Sequence, residues 1–65
     1  MKFSELDVVK TNLDFPEYEI ERGEIGTVVV VFKHPKEAYE VEFVNDDGTT
    51  KAMFAIFSED LEEYN

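Results

Sequence analysis

The chain has no cysteine and no tryptophan, a single histidine, two prolines and three glycines in 65 residues. Without cysteine there is no disulfide framework, no thiolate metal site and no sulfur nucleophile. The same absence favours a reducing, cytoplasmic setting. The only histidine, His34, stands beside Pro35 in a predicted turn. Acid–base or nucleophilic catalysis needs a base oriented by a second group inside a pocket that excludes water. Nothing around His34 suggests either. Ser4 and Ser58 fall in terminal or capping contexts, so a Ser/His/Asp arrangement is not expected. The reading is a non-enzyme with no catalytic, cofactor or metal residues. Apolar runs are short as well. Val28 to Phe32 is far too brief to span a bilayer. Met1-Lys2-Phe3-Ser4-Glu5 leads into a polar–apolar alternation without an apolar core, so no signal peptide is read.

Basic residues are scarce. Six Lys and Arg face sixteen Asp and Glu, for a formal charge of −10. Such a surface repels nucleic-acid phosphates and anionic membranes. Long-range attraction is left for a basic protein, or the charge serves only solubility.

What the chain does contain is β-forming sequence and a dense aromatic supply, six Phe and three Tyr. At this length one domain, residues 1–65, is expected, and its core must be compact to be stable. Gly23-Glu24-Ile25-Gly26-Thr27 precedes the unbroken run Val28-Val29-Val30-Val31-Phe32. The spacing predicts a long, strongly bent strand over Ile25 to Lys33. Because every position from 28 to 32 is apolar, period-2 reasoning leaves its faces unassigned. Leu6 to Lys10 reads as a short first strand, and Thr11 to Glu24, with Asn12, Pro16 and Gly23, as a loop. His34-Pro35-Lys36-Glu37 breaks the pattern. Tyr39, Val41 and Phe43 alternate with Glu40 and Glu42, which predicts one buried and one solvated face. Asn45-Asp46-Asp47-Gly48 predicts a hairpin turn. Thr49 to Phe57 follows as a strand with Ala52, Phe54 and Ile56 inward. Ser58 is expected to cap one helical turn with Glu59 and Asp60 at its positive end, and Leu61 to Tyr64 to close the sheet. The fold class is therefore all-β: a small SH3-like barrel of about five short antiparallel strands with one helical turn near the C-terminus.

Taken together, Leu6-Asp7-Val8-Val9, Phe15-Pro16-Glu17-Tyr18, Gly23-Glu24-Ile25-Gly26-Thr27-Val28-Val29 and Tyr39-Glu40-Val41-Glu42-Phe43, with Gly48 and Ala52 following, resemble an uncharacterised family of short bacterial, often cyanobacterial, domains. The resemblance runs over about residues 6 to 61. It implies an SH3-like barrel and, because some members are encoded beside small toxin-like proteins, an antitoxin or immunity role. Phe15 stands where that family commonly has Leu, and the chain is more acidic than its pattern leads one to expect.

Four chemistries were weighed against structural readings of the same residues. Asn45-Asp46-Asp47-Gly48 offers clustered oxygens, but a calcium loop needs roughly six to eight ligands and a terminal bidentate Glu. Thr49-Thr50-Lys51 follows instead, so the cluster reads as a turn. Gly23-x-x-Gly26-x-Val28-x-x-Val31 resembles the turn and strand of the KOW motif. With Glu19, Glu21 and Glu24 around it and only Arg22 as a cation, it reads as a fold signature and not as a nucleic-acid site. A polyproline groove needs clustered aromatics; Tyr18, Tyr39 and Tyr64 are scattered, and Tyr39 reads as core. That leaves the loop, where Tyr18-Glu19-Ile20-Glu21 is either a half-buried extended segment or an acidic–aromatic contact surface. The candidate partner-binding residues are Tyr18, Glu19, Glu21, Glu24, Glu40 and Glu42. The expected function is a non-catalytic protein-binding module, antitoxin- or immunity-like, that neutralises a basic partner. Alternatives are an accessory subunit, resembling the SH3-like β-subunit domain of nitrile hydratase-type enzymes, and an acidic nucleic-acid mimic. No direct nucleic-acid or membrane partner is expected.

Overall fold

In the computed structural model, which describes residues 2–64, five strands form: β1 (Val8–Thr11), β2 (Ile25–Phe32), β3 (Ala38–Val44), β4 (Thr50–Phe57) and β5 (Leu61–Glu63). All pairings are antiparallel. The order across the sheet is β4-β3-β2-β1-β5. Thus β2, β3 and β4 make a meander, and β5 returns to pair with β1, as the SH3-like reading expects. The sheet stays open, with β4 and β5 as its edges.

β3 carries the core. Tyr39, Val41 and Phe43 are fully buried. Glu40 and Glu42 face the other way but are half-buried, short of the full exposure that the alternation predicts. The reason is register: Glu40 sits between Val30 and Ala55, and Glu42 between Thr27 and Met53.

The faces of β2 are set by a bulge. Val28 pairs with Val41 and Val30 with Glu40, so Val29 is an extra residue that inverts the alternation. Val28 is buried and Val31 packs against the core, while Val30 and Phe32 face outward. Gly26 is required by proximity: a Cβ there would lie 2.5 Å from Val41 Cγ1 and 3.0 Å from the Glu42 carbonyl oxygen.

The predicted hairpin turn is present. Gly48 takes φ +88°, its N–H donates to the Asn45 carbonyl at 2.9 Å, and Asp47 Oδ1 accepts the Thr49 N–H at 3.0 Å. Phe54 and Ile56 of β4 are buried and Ala52 packs beside them, as expected. A second register shift, between Phe43–Ala52 and Val44–Thr50, makes Lys51 an extra residue in β4.

Three expectations need correction. Leu6 does not begin β1: with φ +72° it lies in a turn that the Asp7 N–H closes on the Ser4 carbonyl at 3.1 Å. Ser58 does not cap the last turn. It is the first residue of a 3-10 turn, Ser58–Asp60, behind an extended Phe57, and no side chain caps it. The core also extends further than the strands. Phe3 is buried, packs edge-on to Tyr39 with ring centroids 5.3 Å apart, and donates its N–H to the Tyr39 hydroxyl at 3.0 Å. That hydroxyl in turn donates to the Glu37 carboxylate.

Candidate functional site: an acidic cleft beside β4

The connection from β1 to β2 folds back on itself. Thr11, the one buried polar residue among those described, donates its N–H to the Glu24 carbonyl at 3.1 Å and accepts the Gly23 N–H at 2.9 Å. Its hydroxyl donates to the Glu21 carbonyl at 3.2 Å. Farther out, Phe15 and Ile20 form an isolated bridge around a 3-10 turn, Pro16–Tyr18. Pro16 suits the first position of such a turn because its φ is preset and its missing N–H needs no partner. Glu19 follows at φ +58°. The extended reading of Tyr18-Glu19-Ile20-Glu21 is therefore wrong. The alternation there comes from a turn, in which Ile20 is buried while Tyr18 and Glu19 are exposed.

An open cleft of about 610 Å³ lies between this connection and the start of β4, lined by Asp14, Pro16, Glu19, Ile20, Glu21, Glu24 and Lys51. Its carboxylates are held in place. Asp14 Oδ1 accepts the Arg22 N–H at 2.7 Å, and Glu24 Oε2 accepts the Glu21 N–H at 2.7 Å. Lys51, turned to this side by the bulge in β4, places Nζ 3.1 Å from Glu24 Oε1. Partial burial pushes the Glu24 carboxyl up, but the Glu21 amide and the Lys51 ammonium together outweigh it and hold the group below the ordinary glutamate range. At the rim, Tyr18 stacks on Phe54 of β4, and Phe15 meets the same ring edge-on at 5.1 Å.

The structure thus gathers Glu19, Glu21 and Glu24 in one cleft with Tyr18 beside them. It does not bring Glu40 and Glu42 to that place. They lie on the opposite, outer face of the sheet, where the Thr50 hydroxyl donates to Glu42 Oε2 at 2.6 Å. Sequence reasoning missed Lys51. Its partner is 27 positions away, and no local pattern signals a bulge there. Chemically, the cleft holds fixed carboxylates and a single ammonium, with no nucleophile among its lining residues. Among the described residues, no three His, Cys, Asp or Glu side chains are arranged to hold a metal ion. No helix there is long and apolar enough to cross a membrane.

A family model described as a domain of unknown function (DUF4926) matches residues 5–63, and the chain belongs to that family. No curated protein matches the chain, and no solved structure does.

Proposed function

We propose that this DUF4926 member is a non-catalytic protein-binding module that acts in the cytoplasm as an antitoxin- or immunity-like neutraliser of a basic partner. The observation that carries the reading is the cleft: Asp14, Glu19, Glu21 and Glu24 converge on it, with Lys51 as the only cation in its lining. Two of these carboxylates are already fixed by backbone amides, so less ordering cost falls on binding. Dense negative charge raises the rate of encounter with a cationic surface. Tyr18, 43% exposed and braced on Phe54, supplies a rigid aromatic anchor of the type that dominates tight interfaces. The neutraliser role itself rests on the family resemblance.

The test is affinity capture of the partner from the native organism, followed by surface plasmon resonance at two salt concentrations. Replacing Glu19, Glu21 and Glu24 with Gln should slow association more than it speeds dissociation, with a smaller effect at high salt. Tyr18→Ala should mainly speed dissociation. An association rate indifferent to both salt and the Gln substitutions would overturn the reading.

A further inference from the structure

The two edges of the sheet differ. β5 is three residues long and carries Glu62 and Glu63, which is how natural sheets guard an edge. β4 is eight residues long, and Ala52-Met53-Phe54-Ala55-Ile56-Phe57 contains neither charge nor proline. β4 pairs only with β3. None of its residues makes a backbone hydrogen bond elsewhere among the described residues, so half of its N–H and C=O groups point outward unpaired. The Pro16–Tyr18 turn packs on Phe54 through side chains and leaves those groups free.

The outer face beside this edge has its own chemistry. Met53, Ala55 and Phe57 are exposed there, continuous through the register with Val30 and Phe32 of β2. Glu40 and Glu42 stand among them, and neither forms an ion pair among the described residues. Glu40 lies directly behind Ala55, whose methyl group leaves it open from the edge side.

We infer that β4 is a strand-addition site that takes an extended segment of another protein, with Lys or Arg alternating with apolar residues. The basic partner proposed above, on which this docking mode rests, would add its strand to the free amides and carbonyls of β4. Backbones two strands apart are about 9–10 Å from each other, within the joint reach of an Arg and a Glu side chain. An arginine opposite Ala55 therefore passes over the methyl group to Glu40. A second copy of the chain is the poorer occupant. It brings another body of charge −10 and offers no cation to Glu40 or Glu42.

The test uses the full chain and a fluorescent ten-residue peptide alternating arginine and valine, read by anisotropy. Two further peptides carry N-methyl groups on one or the other alternate set of residues. Strand addition predicts that one methylated set loses at least tenfold in affinity and the other does not. Ala55→Lys should weaken the parent peptide at least tenfold. Replacing Glu19, Glu21 and Glu24 with Gln should preserve the difference between the methylated peptides, which separates this site from the cleft. Equal binding of all three peptides, or loss of both methylated ones, overturns the inference. So does unchanged affinity in Ala55→Lys. If binding then vanishes in the cleft variant, the cleft reading stands without the edge. A dimer in sedimentation equilibrium that Ala55→Lys dissociates, with no peptide discrimination, assigns the edge to a second copy and overturns it too.

Discussion

The ring of Tyr18 lies flat on the ring of Phe54, with centroids 3.9 Å apart and planes inclined by 5°. This contact fastens the β1–β2 connection to β4, so it bears on both the acidic cleft and the open edge. Stacked pairs contribute about 0.5–1.5 kcal/mol beyond their area burial. Tyr18→Ala should lower stability by about 1–2 kcal/mol in urea unfolding, while Tyr18→Phe should stay within about 0.5 kcal/mol of the parent. Equal stability of the Ala variant would mean that the ring does not brace the loop.

Phe43 is fully buried on the inner face of β3 and its ring meets Phe54 at 5.7 Å. Phe43→Ala should cost about 3–5 kcal/mol, enough to unfold a domain this small. A folded variant with an unchanged thermal midpoint would refute the strand register.

The register of β3 was legible because charged and apolar residues alternate at Tyr39-Glu40-Val41-Glu42-Phe43. The hairpin was legible because Asp47-Gly48 has few other uses. In β2 the same logic had nothing to work on, since Val28 through Phe32 offer no polar residue to mark a face, and the bulge at Val29 that decides them depends on pairing with β3. The loop misled for a different reason. Tyr18-Glu19-Ile20-Glu21 alternates in composition, but a 3-10 turn and a left-handed Glu19 produce the same sequence of exposures as a strand. Of the candidate site, the acidic loop was visible as composition. Its separation from Glu40 and Glu42 was not, because it follows from which face of the sheet each segment reaches. The exposed Met53, Ala55 and Phe57 were implicit in placing Ala52, Phe54 and Ile56 inward.

Two glycines should respond to alanine through different causes. At Gly26 the new Cβ meets Val41 and the backbone of Glu42, an overpacking that costs about 1–3 kcal/mol. At Gly48 space is open, and the cost of about 1 kcal/mol comes from φ +88°. Denaturant midpoints distinguish them: Gly48→Asn should recover part of the loss, and Gly26→Asn should not.

Acid should weaken the fold through Glu37. The Tyr39 hydroxyl first, then the Lys2 N–H, hold its carboxyl below the ordinary glutamate range. Its folded value is lower than its unfolded one, so its contribution is fully present above the unfolded value, about 4.3, and is lost as pH falls through the folded one. Glu24 and Asp47 are shifted the same way. Urea midpoints between about pH 3 and 6 should therefore fall toward the acid end. In Glu37→Gln, which keeps an acceptor for Tyr39 but cannot titrate, the slope should be shallower. An identical slope would mean that Glu37 is not held as the structure shows.

Salt should act in the opposite sense to its usual effect on ion pairs. Among the described residues only Glu24, Glu59 and Glu62 pair with a cation, out of sixteen acids on 65 residues. The pairs of Lys10 with Glu62 and Lys36 with Glu59 are exposed, and pairs of that kind contribute little. Their loss to screening is therefore a small term. Repulsion among the remaining carboxylates is the larger one, and it acts over distances that the Debye length of about 8 Å at physiological ionic strength cuts off. Screening relieves the compact state more than the unfolded chain, where the charges are already far apart. The melting temperature at neutral pH should rise as sodium chloride is added over the range where that length shrinks from about 30 Å to about 8 Å. Scanning calorimetry over that range checks it. A flat or falling trend would mean that the acids are balanced locally, and it would remove the excess negative field on which steering of a basic partner depends.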